Sequence, residues 1–142
     1  MILVQDIMTT GVRTVTEDMD AEMAWHQLQL NGIHHLVVLS GREVVGVISE
    51  RDLGGPHGQS VCQGRVVGEL MTPHAIYVAP ETTIKETAQI MKGASIGCLP
   101  VMEEDRLVGI VTLSDLLDLI AGGAGHPSAN QAAMVQIRTG SN

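Results

Sequence analysis

The chain contains no Phe, one Trp and one Tyr. Aromatic stacking on a nucleobase therefore cannot dominate a ligand site, with Tyr77 the only candidate exception. Val, Ile, Leu and eight Met are left to fill the core. Cysteine is scarce too: Cys62 and Cys98 are too few for a disulfide framework, and a reduced, cytoplasmic setting is the default expectation. Eight Lys and Arg stand against sixteen Asp and Glu, a formal net charge of −8. That balance argues against nucleic acid, whose binders neutralise phosphates with Lys and Arg, and against docking on an anionic membrane. No apolar run approaches the ~18 residues of a membrane span, and Met1–Asp6 has no basic, signal-like pattern. No Walker loop, nucleophile elbow, paired-acid motif or zinc-type His/Cys spacing is present. The expectation is a protein that is not an enzyme and needs no metal or cofactor.

What the chain does contain is itself, twice. Displaced by 63 positions, Val4–Leu53 falls on Val67–Leu116 without a gap. Identical pairs include Met8/Met71, Thr9/Thr72, Val38/Val101, Gly46/Gly109, Asp52/Asp115 and Leu53/Leu116. One supersecondary unit is built twice. A unit of about fifty residues is marginal alone, so the two are expected to share a core. The expected division is repeat 1 over 1–55, a linker over 56–65, repeat 2 over 66–122 and a tail over 123–142.

Each repeat reads alike. A short amphipathic turn (Val4–Thr9, Val67–Thr72) precedes a brief strand near Arg13–Thr16 or Ala75–Ala79. A helix follows. Ala21, Ala24, Trp25 and Leu28, and then Ile84, Ala88 and Met91, have the spacing of a buried stripe. Thr83 and Glu86 have the form of a capping box, and Gly32 and Gly93 lie where helices end. Two hairpins are expected, Leu36–Leu39 with Val44–Ser49 and Leu99–Met102 with Leu107–Thr112. A final helix should start at Glu50–Asp52 and at Leu113–Asp115. The segment Gly54–Ser60 is turn-rich and expected to be exposed, which makes Cys62 the more reactive thiol. Cys98, in an apolar strand start, reads as a small buried residue.

Ser49-Glu50-Arg51-Asp52 and Thr112-Leu113-Ser114-Asp115 share one form: a hydroxyl, two residues, a carboxylate. Two readings fit. One is a helix cap, in which the hydroxyl and the acid satisfy orphan amides. The other is a carboxylate at the end of a strand that accepts hydrogen bonds from a ribose diol, as in dinucleotide folds.

Asp-Ile-Met-Thr, Gly-Val-Ile-Ser-x-x-Asp-Leu and then Leu-Met-Thr-Pro, Cys-Leu-Pro-Val and Gly-Ile-Val-Thr-x-x-Asp-Leu-Leu together resemble a tandem pair of CBS (cystathionine-β-synthase-type) domains over residues 1 to about 121. The resemblance implies an α/β (α+β) fold: two β-α-β-β-α units packed as a pseudo-twofold pair with two clefts. It implies regulatory binding of adenosyl compounds such as AMP, ADP, ATP or S-adenosylmethionine. One cleft would combine Ile110, Thr112, Ser114 and Asp115 with Val12, Arg13, Ile33, His34 and His35. The other would combine Val47, Ser49, Arg51 and Asp52 with Ala75, Ile76, Ile96, Gly97 and Cys98. On this reading His34-His35 suits the Asp115 cleft to a charged nucleotide. Adjacent residues of an extended segment face opposite ways, so the two histidines are not expected to chelate a metal.

The expected protein is a regulatory, energy-sensing module that signals to an unknown protein partner. It would form a homodimer through part of Ala21–Leu28 or Ile84–Met91, with no nucleic acid or membrane partner. The rivals are an interaction module with unused clefts and a stress protein acting through its thiols.

Overall fold

The computed structural model describes residues 1–73 and 76–122. Repeat 1 runs α1 (Val4–Ile7), β1 (Thr14–Thr16), α2 (Ala21–Asn31), β2 (His35–Ser40) and β3 (Glu43–Ser49). A 3₁₀ turn (Gly55–His57) and α3 (Gly58–Cys62) lead to repeat 2: α4 (Val67–Leu70), β4 (Thr72–Pro73), α5 (Ile84–Ala94), β5 (Cys98–Glu103), β6 (Arg106–Thr112) and α6 (Leu113–Gly122). Local chemistry sets most of these ends. Asp20 caps α2 by accepting from the Glu22 amide at 2.8 Å, and Gly32 closes it in the left-handed region (φ 62°). Thr83 Oγ1 accepts from the Glu86 amide at 3.1 Å while Glu86 Oε1 accepts from the Thr83 amide at 3.0 Å. That is the capping box the sequence announces.

The strands form one sheet of order β1-β2-β3-β4 and a second of β5-β6. β1 runs parallel to β2, and both hairpins are antiparallel. In repeat 2 the first strand shrinks to a single parallel bridge, Val78 to Val101. Each hairpin slips register at the same place, Val38/Leu39 and Val101/Met102. These bulges sit opposite Gly46 and Gly109.

Packing does not follow chain order. Val4 and Ile7 of α1 are buried with Val78, Met91, Leu99, Val111 and Leu116 of repeat 2. Val67 of α4 completes the core of repeat 1 with Val15, Ala24, Leu28, Leu36 and Ile48, and Leu70 packs against it. The strand positions just after these turns cross as well. Thr72 pairs with Val47 at the edge of β3, and Thr9 exchanges backbone hydrogen bonds of 2.9 and 3.0 Å with Ile110. A third cluster of Val37, Val47, Cys98 and Ile110 joins the two hairpins. The result is the expected pseudo-twofold pair, with the opening turns exchanged. No helix among the described residues is long and apolar enough to cross a membrane.

Several local expectations are corrected. Repeat 1 has no final helix at Glu50–Asp52. Those residues form turns, because Gly54 and Gly55 take positive φ (99° and 56°) and Pro56 follows. Helix α5 ends at Ser95 in the left-handed region (φ 55°), which leaves Gly93 inside the helix. Its buried face carries Thr87 and Met91, with Ala88 exposed. The Thr87 hydroxyl is satisfied there by donating to the Thr83 carbonyl at 2.8 Å. Ala88 is the counterpart of Trp25, and Trp25 is half-buried because the linker packs on it. Its Nε1–H donates to the Gly55 carbonyl at 2.9 Å, and a Cβ on Gly58 would run into its indole. Within Ala21–Leu28, Ala21, Ala24 and Leu28 are buried in the protomer and Met23 is exposed. Other exposed apolar side chains lie at Leu30 and along α6 at Leu113, Leu117 and Ile120.

The linker is not an open loop, and Cys62 is not exposed. Cys62 is fully buried, and its Sγ–H donates to the Leu53 carbonyl at 3.2 Å. Burial pushes its thiol pKa up, with Glu22 and Asp20 adding to the effect. Since the thiolate is the nucleophile, both cysteines should resist iodoacetamide at pH 7.5 in the folded protein and label fully in denaturant. Mass spectrometry showing rapid modification of Cys62 in the native protein would reverse this and revive the thiol-based reading.

Candidate functional site

The site grows from the ends of the central hairpin strands. β3 stops at Ser49, and the chain turns back on itself. The Asp52 carboxylate accepts from the Ser49 amide through Oδ2 at 2.9 Å, and the Ser49 hydroxyl accepts from the Asp52 amide at 3.1 Å. Repeat 2 copies this: Thr112 amide to Asp115 Oδ2 at 2.8 Å, Asp115 amide to Thr112 Oγ1 at 3.2 Å. The Thr112–Asp115 pair therefore acts as a cap at the start of α6, while the Ser49–Asp52 pair closes a turn that no helix follows. Because the bond from the amide ties Oδ2 to the backbone, each carboxylate is also held in a fixed orientation at a strand end.

A cavity of ≈ 720 Å³ opens at the Asp52 end. Its wall combines Val47, Ser49, Arg51 and Asp52 with Ile96, Gly97 and Cys98, a grouping the sequence anticipated. It also takes in Thr72, Ser95, Gly54, Gly55 and Pro56, which the sequence did not flag. His34 and His35 line this same cavity. Hairpin pairing explains their place, since His35 stands opposite Ser49 in register. Cys98 stands in the same relation to Thr112. The electrostatic neighbours agree: Asp52 acts on His35, and Asp115 acts on Cys98. The histidines thus sit beside Asp52 rather than serving the Asp115 side alone.

The remaining candidates are spread out. Ile110 is buried between the hairpins, and Ile33 packs against the repeat 1 core. Ser114 is exposed at the start of α6. Val12 lines a separate depression with Leu39, Arg42, Arg106 and Leu107. Arg13 is exposed and uses its carbonyl to accept from the Val37 amide at 3.2 Å. Ile76 is exposed, and Ala75 lies outside the described residues.

Charge in the cavity differs from what a His-His pair suggests. Burial lowers the pKa of His35, the neighbouring His34 lowers it further, and Asp52 pulls it partly back. His35 is thereby kept neutral near pH 7. His34 Nδ1 lies 3.2 Å from Glu50 Oε1. The amide of Gln29 donates to Glu50 Oε2 at 2.9 Å. Cys98 is buried, and its thiol pKa is pushed well up by burial and by Asp115. Among the described residues no group of His, Cys, Asp and Glu is placed to hold a metal ion.

Residues 4–53 and 67–122 each match the family model of the CBS domain. The chain belongs to the CBS domain family. A CBS domain-containing protein of Dictyostelium discoideum is 30% identical over 132 residues, spanning 84% of this chain and 91% of that protein. The crystal structure of a CBS-domain containing protein of Agrobacterium tumefaciens superposes with a TM-score of 0.73 at 27% identity, covering 84% of this chain and 99% of that one. The CBS domain pair of protein MJ0100, solved in complex with 5′-methylthioadenosine and S-adenosyl-L-methionine, gives a TM-score of 0.75 at 26% identity, covering 87% and 98%. The CBS repeat accounts for the duplicated Gly-x-Ile/Val-Ser/Thr-x-x-Asp segments and for the cleft beside them.

Proposed function

We propose that this chain is a regulatory module that binds an adenosyl compound in the Asp52 cleft and passes its occupancy to a partner. The observation that carries this reading is the cavity of ≈ 720 Å³ with an oriented carboxylate at its edge. Pockets for small molecules run from about 300 to 1,000 Å³ and pair apolar walls with a few placed polar groups. Here Val47, Ile96 and Pro56 would face the base, Asp52 and Ser49 the ribose diol, and the Gly97 backbone allows close approach. The MJ0100 pair and its two adenosyl ligands support the same class of ligand. The ligand is assigned to the Asp52 cleft rather than the Asp115 cleft because the cavity opens at Asp52. No catalysis is assigned.

Ligand contacts come from both repeats, Asp52 from one and Ile96–Cys98 from the other. A bound ligand would favour one arrangement of the pair, which is the requirement for a population shift. The reading includes a twofold dimer through the exposed apolar side chains of α6, Leu113, Leu117 and Ile120. Calorimetry of the full chain with 5′-methylthioadenosine and adenosine should show saturable binding, with light scattering on the same sample giving the mass of a dimer. No heat up to millimolar ligand would defeat the binding reading and favour a module with unused clefts. A monomer at high micromolar concentration would remove the dimer.

A further inference from the structure

We infer that Glu50 sets the ligand class of the Asp52 cleft, disfavouring adenosyl compounds with an anionic 5′ group and admitting those whose 5′ group is neutral or cationic. This rests on the adenosyl reading above and narrows it to thioether or sulfonium derivatives in preference to adenine nucleotides.

Three observations carry it. First, Glu50 is fixed at the cavity wall. His34 holds one carboxylate oxygen and Gln29 the other, at 3.2 and 2.9 Å. Second, Glu50 places another carboxylate beside Asp52 in the cavity wall. The ionisable groups of the cavity are His34, His35, Glu50, Arg51, Asp52 and Cys98. Burial keeps His35 and Cys98 uncharged, so neither offsets the two carboxylates. Third, the fold does not require this arrangement. The counterparts of Gln29, His34 and Glu50 in repeat 2 are Lys92, Gly97 and Leu113. The same hairpin and the same Asp cap form there without any of the three. The Gln29–Glu50–His34 network is thus specific to the cleft it faces.

The charge of Glu50 acts on a phosphate near its wall. A cavity of ≈ 720 Å³ is about 11 Å across if spherical, so a phosphate in the half nearer Glu50 lies within the Debye length of ~8 Å at physiological salt. A phosphate monoester carries about −1.5 to −2 at pH 7. Placed there it meets Glu50 only partly screened by mobile ions, whereas a thioether pays no such penalty and a sulfonium is attracted.

The test is calorimetry of the full chain at pH 7.5 with 5′-methylthioadenosine, S-adenosylmethionine, AMP and ATP. Methylthioadenosine and S-adenosylmethionine should bind at least about tenfold more tightly than AMP, and ATP more weakly than AMP. Glu50→Gln should raise AMP affinity relative to methylthioadenosine by about five- to tenfold. Glu50→Leu, which installs the residue the fold already carries at Leu113, should do the same and covers a Gln variant that fails to fold. AMP binding as tight as methylthioadenosine in the unmutated protein overturns the inference while leaving the adenosyl reading intact, as does an AMP-to-methylthioadenosine ratio unmoved by either folded variant. Failure of all four ligands to bind overturns the adenosyl reading itself, and this inference with it.

Discussion

Asp52→Ala is expected to weaken 5′-methylthioadenosine binding ten- to a hundredfold or more while the protein remains folded. The ribose diol would lose charge-assisted hydrogen bonds worth about 1.5–3 kcal/mol apiece, and each 1.4 kcal/mol is roughly tenfold in affinity. The same substitution opens a turn, because Asp52 Oδ2 accepts from the Ser49 amide. That loss of a hydrogen bond costs about 0.5–1.5 kcal/mol of stability and must be separated from binding. Two companions do so. Asp52→Asn keeps an oxygen for the Ser49 amide but lacks the charge and the second acceptor, so it should retain stability and still lose most affinity. Asp115→Ala breaks the equivalent bond in repeat 2 and should change affinity at the Asp52 cleft by less than about threefold. Unchanged binding in a folded Asp52→Ala protein would leave the carboxylate with closing its turn as its whole role.

The second large effect concerns stability. Gly46→Val should destabilise the chain by about 1–3 kcal/mol through overpacking, enough to lower Tm by roughly 5–10 °C. A Cβ at Gly46 would lie 2.7 Å from the Thr72 carbonyl oxygen and 2.9 Å from Met71 Sδ. The backbone of Thr72 cannot withdraw without giving up its pairing with β3. Gly109 faces the mirrored crossing, with Met8 Sδ at 2.7 Å and the Thr9 carbonyl at 3.0 Å, and should behave alike. Gly93 lies inside α5, and a methyl group added there would meet nothing within 4 Å. Gly93→Ala should therefore stabilise by about 0.5–1 kcal/mol. Thermal melts of the three variants decide the matter; a Gly46→Val protein melting with the unmutated chain would mean that the crossing strands tolerate more room than their spacing implies.

The shared glycines, the paired hairpins and the Thr83–Glu86 capping box are legible in the sequence because they are written in local spacing. Hydrophobic spacing reports that a side chain is buried, not against which partner. Val4 and Val67 are therefore readable as buried, while their exchange between repeats is not. The missing helix after Asp52 and the burial of Cys62 have one cause. Gly54-Gly55-Pro56 reads as a break, but nothing in its composition says that the chain beyond it folds onto Trp25. In the cleft, Ser49 and Asp52 stand out through the repeated motif, and their grouping with Ile96–Cys98 is what the CBS resemblance implies. Glu50 escapes that reading because its repeat 2 counterpart is Leu113, and repetition rewards sameness. The mismatch is itself the available signal: a carboxylate between Ser49 and Asp52 where the second copy carries an apolar residue.

The exchanged turns also govern the order in which the chain can be completed during synthesis. The residues from Val15 to Ile48 leave the ribosome before Val67 and Leu70, which cover their core. Repeat 1 must therefore wait, with apolar surface open, for the opening turn of its successor. Val4 and Ile7, the first apolar side chains of that kind to be made, find their places only against Leu99, Val111 and Leu116, among the last. Contacts of such long sequence separation slow folding and expose nascent surface to aggregation. The crossover that locks the finished pair together thus makes repeat 1 wait for Val67 and Leu70, while the core that holds Val4 and Ile7 is complete only when Leu116 has emerged.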